Sequence, residues 1–246
     1  MEILGYLASF IMGGVLGAIG GGGSILTVPI LVYLFGLDPK VATSYSLFVV
    51  GCTAAIGMMT YIKQKQVDFK TGGLFMLPSF LGVWVSRHYL APLAGPTLVM
   101  ITFATVMVLA SYFMIAGQKF SPHQNKNLFY ISLVGLGVGL LTGFVGAGGG
   151  FLIIPGLVLL TGLSMKIAVG TSLMIIATNT LFGFINFALK ASDINWKFLI
   201  GLSLLAIAGI FAGSHFANKI PEQKLKKGFG YFVLIMGSAI LLAQLK

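Results

Sequence analysis

Ten long apolar runs limit the possible folds of this chain more than any other feature. Only 8% of the residues are charged, against about 25% in an average soluble domain, and the charges fall almost entirely between the runs. A helix of about 20 apolar residues crosses a bilayer. The sequence therefore predicts an all-α polytopic membrane protein without a separate extramembrane domain. The runs are 3–19, 24–36, 41–62, 71–86, 97–117, 128–145, 149–162, 167–189, 198–216 and 228–245.

The sequence contains two copies of one pattern. Residues 17–50 read GAIGGGGSILTVPILVYLFGLDPKVATSYSLFVV, and residues 143–176 read GFVGAGGGFLIIPGLVLLTGLSMKIAVGTSLMII. This duplication predicts a first repeat at 1–117, a linker loop at 118–127 and a second repeat at 128–246. It also argues that residues 3–19 are not a cleaved signal, because their counterpart lies in mid-chain. Matched pairs are Pro29 and Pro155, Lys40 and Lys166, and, after one inserted residue, Asp68 and Asn195.

In each copy the first element is a helix, a glycine-rich break and a short helix. As a helix, the run at 24–36 reaches about 20 Å, less than the roughly 30 Å hydrocarbon core. If each broken pair returns to its starting side, ten Lys and Arg residues share one side and five the other; single crossings divide them eight to seven. The positive-inside rule favours the returning arrangement. It predicts two inverted repeats, each a Gly-broken helix pair followed by three transmembrane helices, with both termini outside.

The two breaks are candidate anion sites. Glycines let a ligand come close to main-chain N–H groups, and the following short helix adds unpaired N–H groups and the positive end of its dipole. These features suit an anion and avoid burying a charged side chain in the membrane. The alternative is that the glycines only permit close helix packing. The candidates are Gly20, Gly21, Gly22, Gly23 and Ser24 in the first copy and Gly146, Gly148, Gly149 and Gly150 in the second.

A polar stripe follows each break on the next helix. Its members are three or four residues apart, which places them on one helix face. Neutral hydroxyl and amide groups can donate hydrogen bonds to an anion, so the stripe is predicted to line its path. The alternative role is hydrogen bonding between helices. The stripe includes Thr43, Ser46 and Thr53 in the first copy and Ser172, Asn179 and Asn186 in the second.

Other kinds of chemistry find little support in the sequence. All five acidic residues lie at run ends or in loops, so no buried proton relay is predicted. No His, Cys, Asp or Glu cluster has metal-ligand spacing, and no intramembrane His could activate a Ser. The chain is therefore expected to be no enzyme and to use no metal or cofactor. Expected partners are a small anion and the lipid bilayer, without nucleic acid, and a homodimer stays open.

The paired motifs resemble a known family. Each copy has a Gly-rich break, a proline a few residues on, Lys-x-Ala and a Ser-Leu pair. This pattern is similar to the TauE/SafE sulfite exporters, also called the toluene sulfonate uptake permease family, over nearly the whole chain. The resemblance implies transport of sulfite, sulfoacetate or related sulfonates and carboxylates, with the breaks and Thr171-Ser172 at the site. The first copy departs from it, with Thr43-Ser44-Tyr45-Ser46 where the second has Val169-Gly170-Thr171-Ser172.

These observations together predict an anion transporter of the cell membrane, inner or plasma. Sulfite or an organosulfonate is the leading cargo, and alternating access between inverted halves is the expected mechanism. Two alternatives stay open. One is an anion channel with the same lining, and the other is a membrane assembly or scaffold protein whose glycines only pack helices.

Overall fold

The structure, a computed structural model, describes residues 2–90, 96–116, 127–145, 150–189 and 194–244. Within these ranges the chain is helical with short connections and contains no strand. Each helix overlaps one of the apolar runs, so the expectation of an all-α chain is confirmed. The helices are α1 (Glu2–Ile19), α2 (Ser24–Pro29), α3 (Pro39–Lys63), α4 (Phe69–Val85), α5 (Pro96–Ile115), α6 (Leu128–Val145), α7 (Gly150–Pro155), α8 (Met165–Ala188), α9 (Trp196–Lys219) and α10 (Glu222–Gln244).

The outer surface of the helices is apolar. Large hydrophobic side chains such as Leu77, Leu204 and Ile235 are more than half exposed. Soluble monomers rarely show extended apolar patches, whereas hydrocarbon accommodates them. The surface therefore indicates an integral membrane protein. Among the described residues, four segments are long and apolar enough to cross a membrane: Val41–Lys63, Met165–Ile185, Trp196–Lys219 and Glu222–Leu242.

The first two helices form a hairpin. Residues 20–23 make a 3₁₀ turn directly after α1, and α2 then runs back along α1. A Cβ built on Gly23 would lie 2.7 Å from the Leu16 Cβ, which shows how closely the two arms approach. At the open end, the Phe35 ring centroid lies 5.2 Å from that of Tyr6. The segment after the break therefore returns towards the start of α1.

The proline of each copy changes the hydrogen bonding of the short helix. Directly after Pro29, α2 continues as a π-helical turn at Ile30–Leu34, and after Pro155, α7 continues in the same way at Gly156–Leu160. A proline has no N–H, and its ring clashes with the carbonyl four residues before it. The helix therefore widens at the aligned position after each of the two prolines.

The helices of one copy pack mainly against those of the other. The largest contacts join α1 to α9, α4 to α6, α3 to α8 and α5 to α10. In the sequence alignment α6 is the counterpart of α1, and α9 that of α4, so the first two contacts are equivalent. Gly13 lies against the backbone of Ala206, and the aligned Gly139 lies against the backbone of Ser79. The two copies thus interlock through matched close approaches.

The central pair, α3 and α8, runs antiparallel. The Tyr45 ring lies 6.5 Å from that of Phe187, near one end of the contact. A Cβ on Gly57, near the other end, would lie 3.4 Å from Leu173 Cδ1. Residue numbers rise along α3 as they fall along α8, which places the aligned positions 53 and 179 at the same level in the middle.

Candidate anion site at the glycine-rich breaks

The first break meets the start of α7 in the interior. A Cβ built on Gly21 would collide with the carbonyl of Gly150 and lie 2.9 Å from Phe151 N. The two backbones are therefore in direct contact, and no side chain fits between them. A Cβ on Gly150 would in turn lie 2.9 Å from Ser24 Oγ. Predicted site residues from both copies thus come together at one place.

Gly20 brings the first break against α8. Its φ of +68° lies in the left-handed region, which residues with a side chain rarely adopt and glycine adopts freely. A Cβ at this position would lie 2.6 Å from Ser172 Oγ and 2.8 Å from Ile154 Cδ1. Both the backbone conformation and the close approach therefore require a glycine. The structure groups five predicted residues here: Gly20, Gly21, Ser24, Gly150 and Ser172.

The hydroxyl groups of four predicted residues, two at this meeting point and two elsewhere on α3, donate to the carbonyls of their own helical turns. Such local bonds compete with other partners for the single hydroxyl proton. An anion would receive that proton only after the hydroxyl rotates, so each hydroxyl exchanges one acceptor for another. The bonds are Ser24 to Gly21 O at 2.7 Å, Ser46 to Thr43 O at 2.7 Å, Thr53 to Val49 O at 2.6 Å and Ser172 to Val169 O at 2.8 Å.

Thr171 faces the start of α4. Its Oγ1 accepts a hydrogen bond from Asp68 N at 3.0 Å. At the aligned position of the first copy, the Tyr45 hydroxyl accepts from Asn195 N at 2.9 Å, at the start of α9. Both residues thus hold the N-terminus of a neighbouring helix, and the longer Tyr45 does in one copy what Thr171 does in the other. The departure between the two motifs therefore keeps a common structural role.

The remaining predicted residues are less fully placed. Thr43 and Asn179 lie on α3 and α8 and are half-buried, and the backbone of Asn186 belongs to the last turns of α8. Gly22 belongs to the 3₁₀ turn of the first break. Three predicted residues lie outside the described part of the chain: Gly146, Gly148 and Gly149.

One residue at the break was not predicted from the sequence. Tyr61, at the end of α3, is 1% exposed, and its hydroxyl donates a hydrogen bond to Gly17 O at 2.6 Å. Gly17 lies in the last turn of α1, so the bond reaches the break from a helix distant in sequence. The available signal was a tyrosine at a position where the second copy has Phe187.

The chemistry of this meeting point is that of an uncharged polar site. The side chains that meet there are hydroxyls and aliphatic groups, and the backbones of Gly21 and Gly150 touch beside them. Main-chain N–H groups at a break recognise negative charge without a buried cation. Among the described residues, no group of three or more His, Cys, Asp or Glu side chains could hold a metal ion.

Comparison with known proteins places this arrangement in a family. The model of the family Sulfite exporter TauE/SafE matches residues 5–240. A probable membrane transporter protein of Xylella fastidiosa is 27% identical over 94% of this chain and 91% of its own length. Probable membrane transporter protein YunE of Bacillus subtilis is 29% identical over 98% of this chain and 96% of its own. This chain therefore belongs to the TauE/SafE sulfite exporter family of membrane transporters.

Proposed function

We propose that this protein transports small anions across the cell membrane, with sulfite or an organosulfonate as its cargo. The main observation in support of this proposal is the contact between Gly21 and the Gly150 backbone, beside Ser24 and Ser172. It brings backbone from both copies together in the interior, and main-chain N–H groups beside this closed contact would bind the anion when the two segments separate. The family name supplies the class of cargo. The names of the relatives supply only membrane transport.

The helix packing supports two inverted repeats. A two-fold axis parallel to two equivalent helices relates them in parallel, whereas an axis perpendicular to them relates them antiparallel. The equivalent helices α3 and α8 pack antiparallel, with Gly51 beside Leu181 and Gly57 beside Leu173. If these helices span the membrane, the axis lies in the membrane plane. Inverted repeats of this kind place the substrate near the midplane in many secondary transporters.

Alternating access follows from this symmetry. In one state the first break closes the path against α8, through the close approach of Gly20 to Ser172. In the other state the second break would make the equivalent closure, and the first would separate from α8. The glycine-to-backbone contacts let the halves approach closely without long side chains that would resist separation. The returning hairpin of α1 and α2 favours the arrangement with both termini outside, in the inner or plasma membrane.

Counterflow in reconstituted vesicles tests this function. Purified protein in proteoliposomes loaded with unlabelled sulfite should accumulate external radiolabelled sulfite transiently, and empty vesicles or sulfate-loaded vesicles should not. Passive flux without accumulation above equilibrium would assign a channel. Binding of sulfite and organosulfonates is measured separately, as a rise in melting temperature. Neither flux nor anion protection in correctly folded protein would overturn the proposal and favour a scaffold.

A further inference from the structure

Tyr61 joins α3 to α1 beside the first break. Its hydroxyl donates to Gly17 O at 2.6 Å, three residues before the left-handed Gly20. The last turn of a helix leaves carbonyls without helical N–H partners, so a side-chain donor is useful at this point. The bond ties the end of α1 to the end of α3.

The position of Tyr61 is fixed by its surroundings. Its carbonyl accepts from Gln66 N at 2.9 Å, in the loop that follows α3. On the other side, a Cβ on Gly170 would lie 2.9 Å from the Tyr61 Cβ. The residue is thus held between α1, α8 and its own loop, and its hydroxyl cannot leave Gly17 without a shift of these elements.

The two copies differ at this position. Phe187 is aligned with Tyr61, and its ring lies among aromatic side chains, 6.0 Å from Phe184 and 6.5 Å from Tyr45. Phenylalanine has no hydroxyl, so it cannot donate the equivalent bond. The fold therefore holds the first break by a contact that the second copy cannot reproduce at the aligned position.

We propose that Tyr61 is a positioning residue whose hydroxyl holds the first glycine break against α3 in the state described here. This inference rests on the proposed transport function: the bond must open when the first break separates from α8. It makes the two states unequal, because only one of them gains this bond. A carrier whose two halves differ in this bond thereby acquires a preferred resting state.

Amide hydrogen exchange measures how strongly the Tyr61 hydroxyl stabilises the first break, and it does not require transport. In Tyr61→Phe, amide exchange at residues 18–24 should rise about fivefold, as expected when about 1 kcal/mol of hydrogen bonding is lost. Exchange in α5 should stay unchanged, and the melting temperature should fall only slightly, because a single hydrogen bond is lost. The matched variant Phe187→Tyr should leave residues 18–24 at the wild-type rate. Counterflow should show a changed KM for sulfite in Tyr61→Phe, because the balance between the two states shifts.

Two outcomes would overturn the proposal. One is unchanged exchange at residues 18–24 in Tyr61→Phe. The other is a Tyr61→Phe protein with the wild-type KM for sulfite, together with a Tyr61→Leu protein that differs from wild type only in a lower melting temperature. This result would mean that Tyr61 contributes ring packing and no positioning bond. If wild-type protein shows no counterflow but amide exchange at residues 18–24 still rises in Tyr61→Phe, the proposed transport function is wrong and the positioning role of Tyr61 is supported.

Discussion

Replacing Gly21 by alanine tests whether the contact between the breaks is needed for anion handling. The added Cβ would lie 2.9 Å from Phe151 N and closer still to the Gly150 carbonyl. Non-bonded carbon atoms prefer about 3.5–4.0 Å, so the two backbones must separate by about 1.5 Å to clear the Gly150 carbonyl. Backbone cannot rotate away as a side chain can, and overpacking of this kind costs about 1–3 kcal/mol. If the anion-bound state requires the original spacing, restoring it costs the same energy, and we expect anion affinity to fall by about 5- to 150-fold.

The assay is sulfite binding by thermal shift together with counterflow in proteoliposomes. Gly73→Ala is the matched control, because a Cβ on Gly73 in α4 meets nothing within 4 Å. Alanine in an open helical position is favoured by about 1 kcal/mol over glycine, so this control should melt at or slightly above the wild-type temperature and transport normally. A Gly21→Ala protein that binds and exchanges sulfite like Gly73→Ala would refute a site at this contact.

Three further predictions concern the stripe and the topology. Ser172→Ala should weaken sulfite binding by about 1 kcal/mol, because its hydroxyl exchanges one acceptor for another, and should leave the melting temperature nearly unchanged; lost stability with normal affinity would indicate packing. Thr171→Val should cost about 1 kcal/mol of stability through the lost bond to the start of α4 and leave sulfite affinity intact; weaker binding would place Thr171 at the site. A membrane-impermeant thiol reagent applied outside should label cysteines at positions 2 and 246 and spare one at Lys65; the reverse pattern would invert the topology.

The course of the chain was largely predictable from local sequence. Apolar runs and their interruptions gave helix positions, because burial in a bilayer demands continuous apolar segments. The glycines at 20–23 predicted a break, and the short run after them predicted a segment too short to span. The π-helical turns after Pro29 and Pro155 follow from the missing N–H of proline, although their type was not anticipated.

The contacts across the chain were not predictable in the same way. The bond from Tyr61 to Gly17 and that from Asp68 N to Thr171 join residues far apart in sequence, and periodicity within one helix carries no information about them. Thr171 illustrates the consequence. Its motif predicts an anion ligand, and in the structure its hydroxyl oxygen also accepts a bond at the start of α4. Only the packing of helices from different copies decides between such roles.

The interlocking of the two halves sets the order in which this protein can assemble during synthesis. The main partner of α1 is α9, and Gly13 cannot meet Ala206 until all the residues between them have been made. At about 5–20 residues per second, α1 waits on the order of 10–40 s after its own synthesis. During that interval its glycine-lined face has only lipid or the insertion machinery as a neighbour. The step most exposed to misassembly is therefore the late docking of α9 onto a helix that entered the membrane earlier.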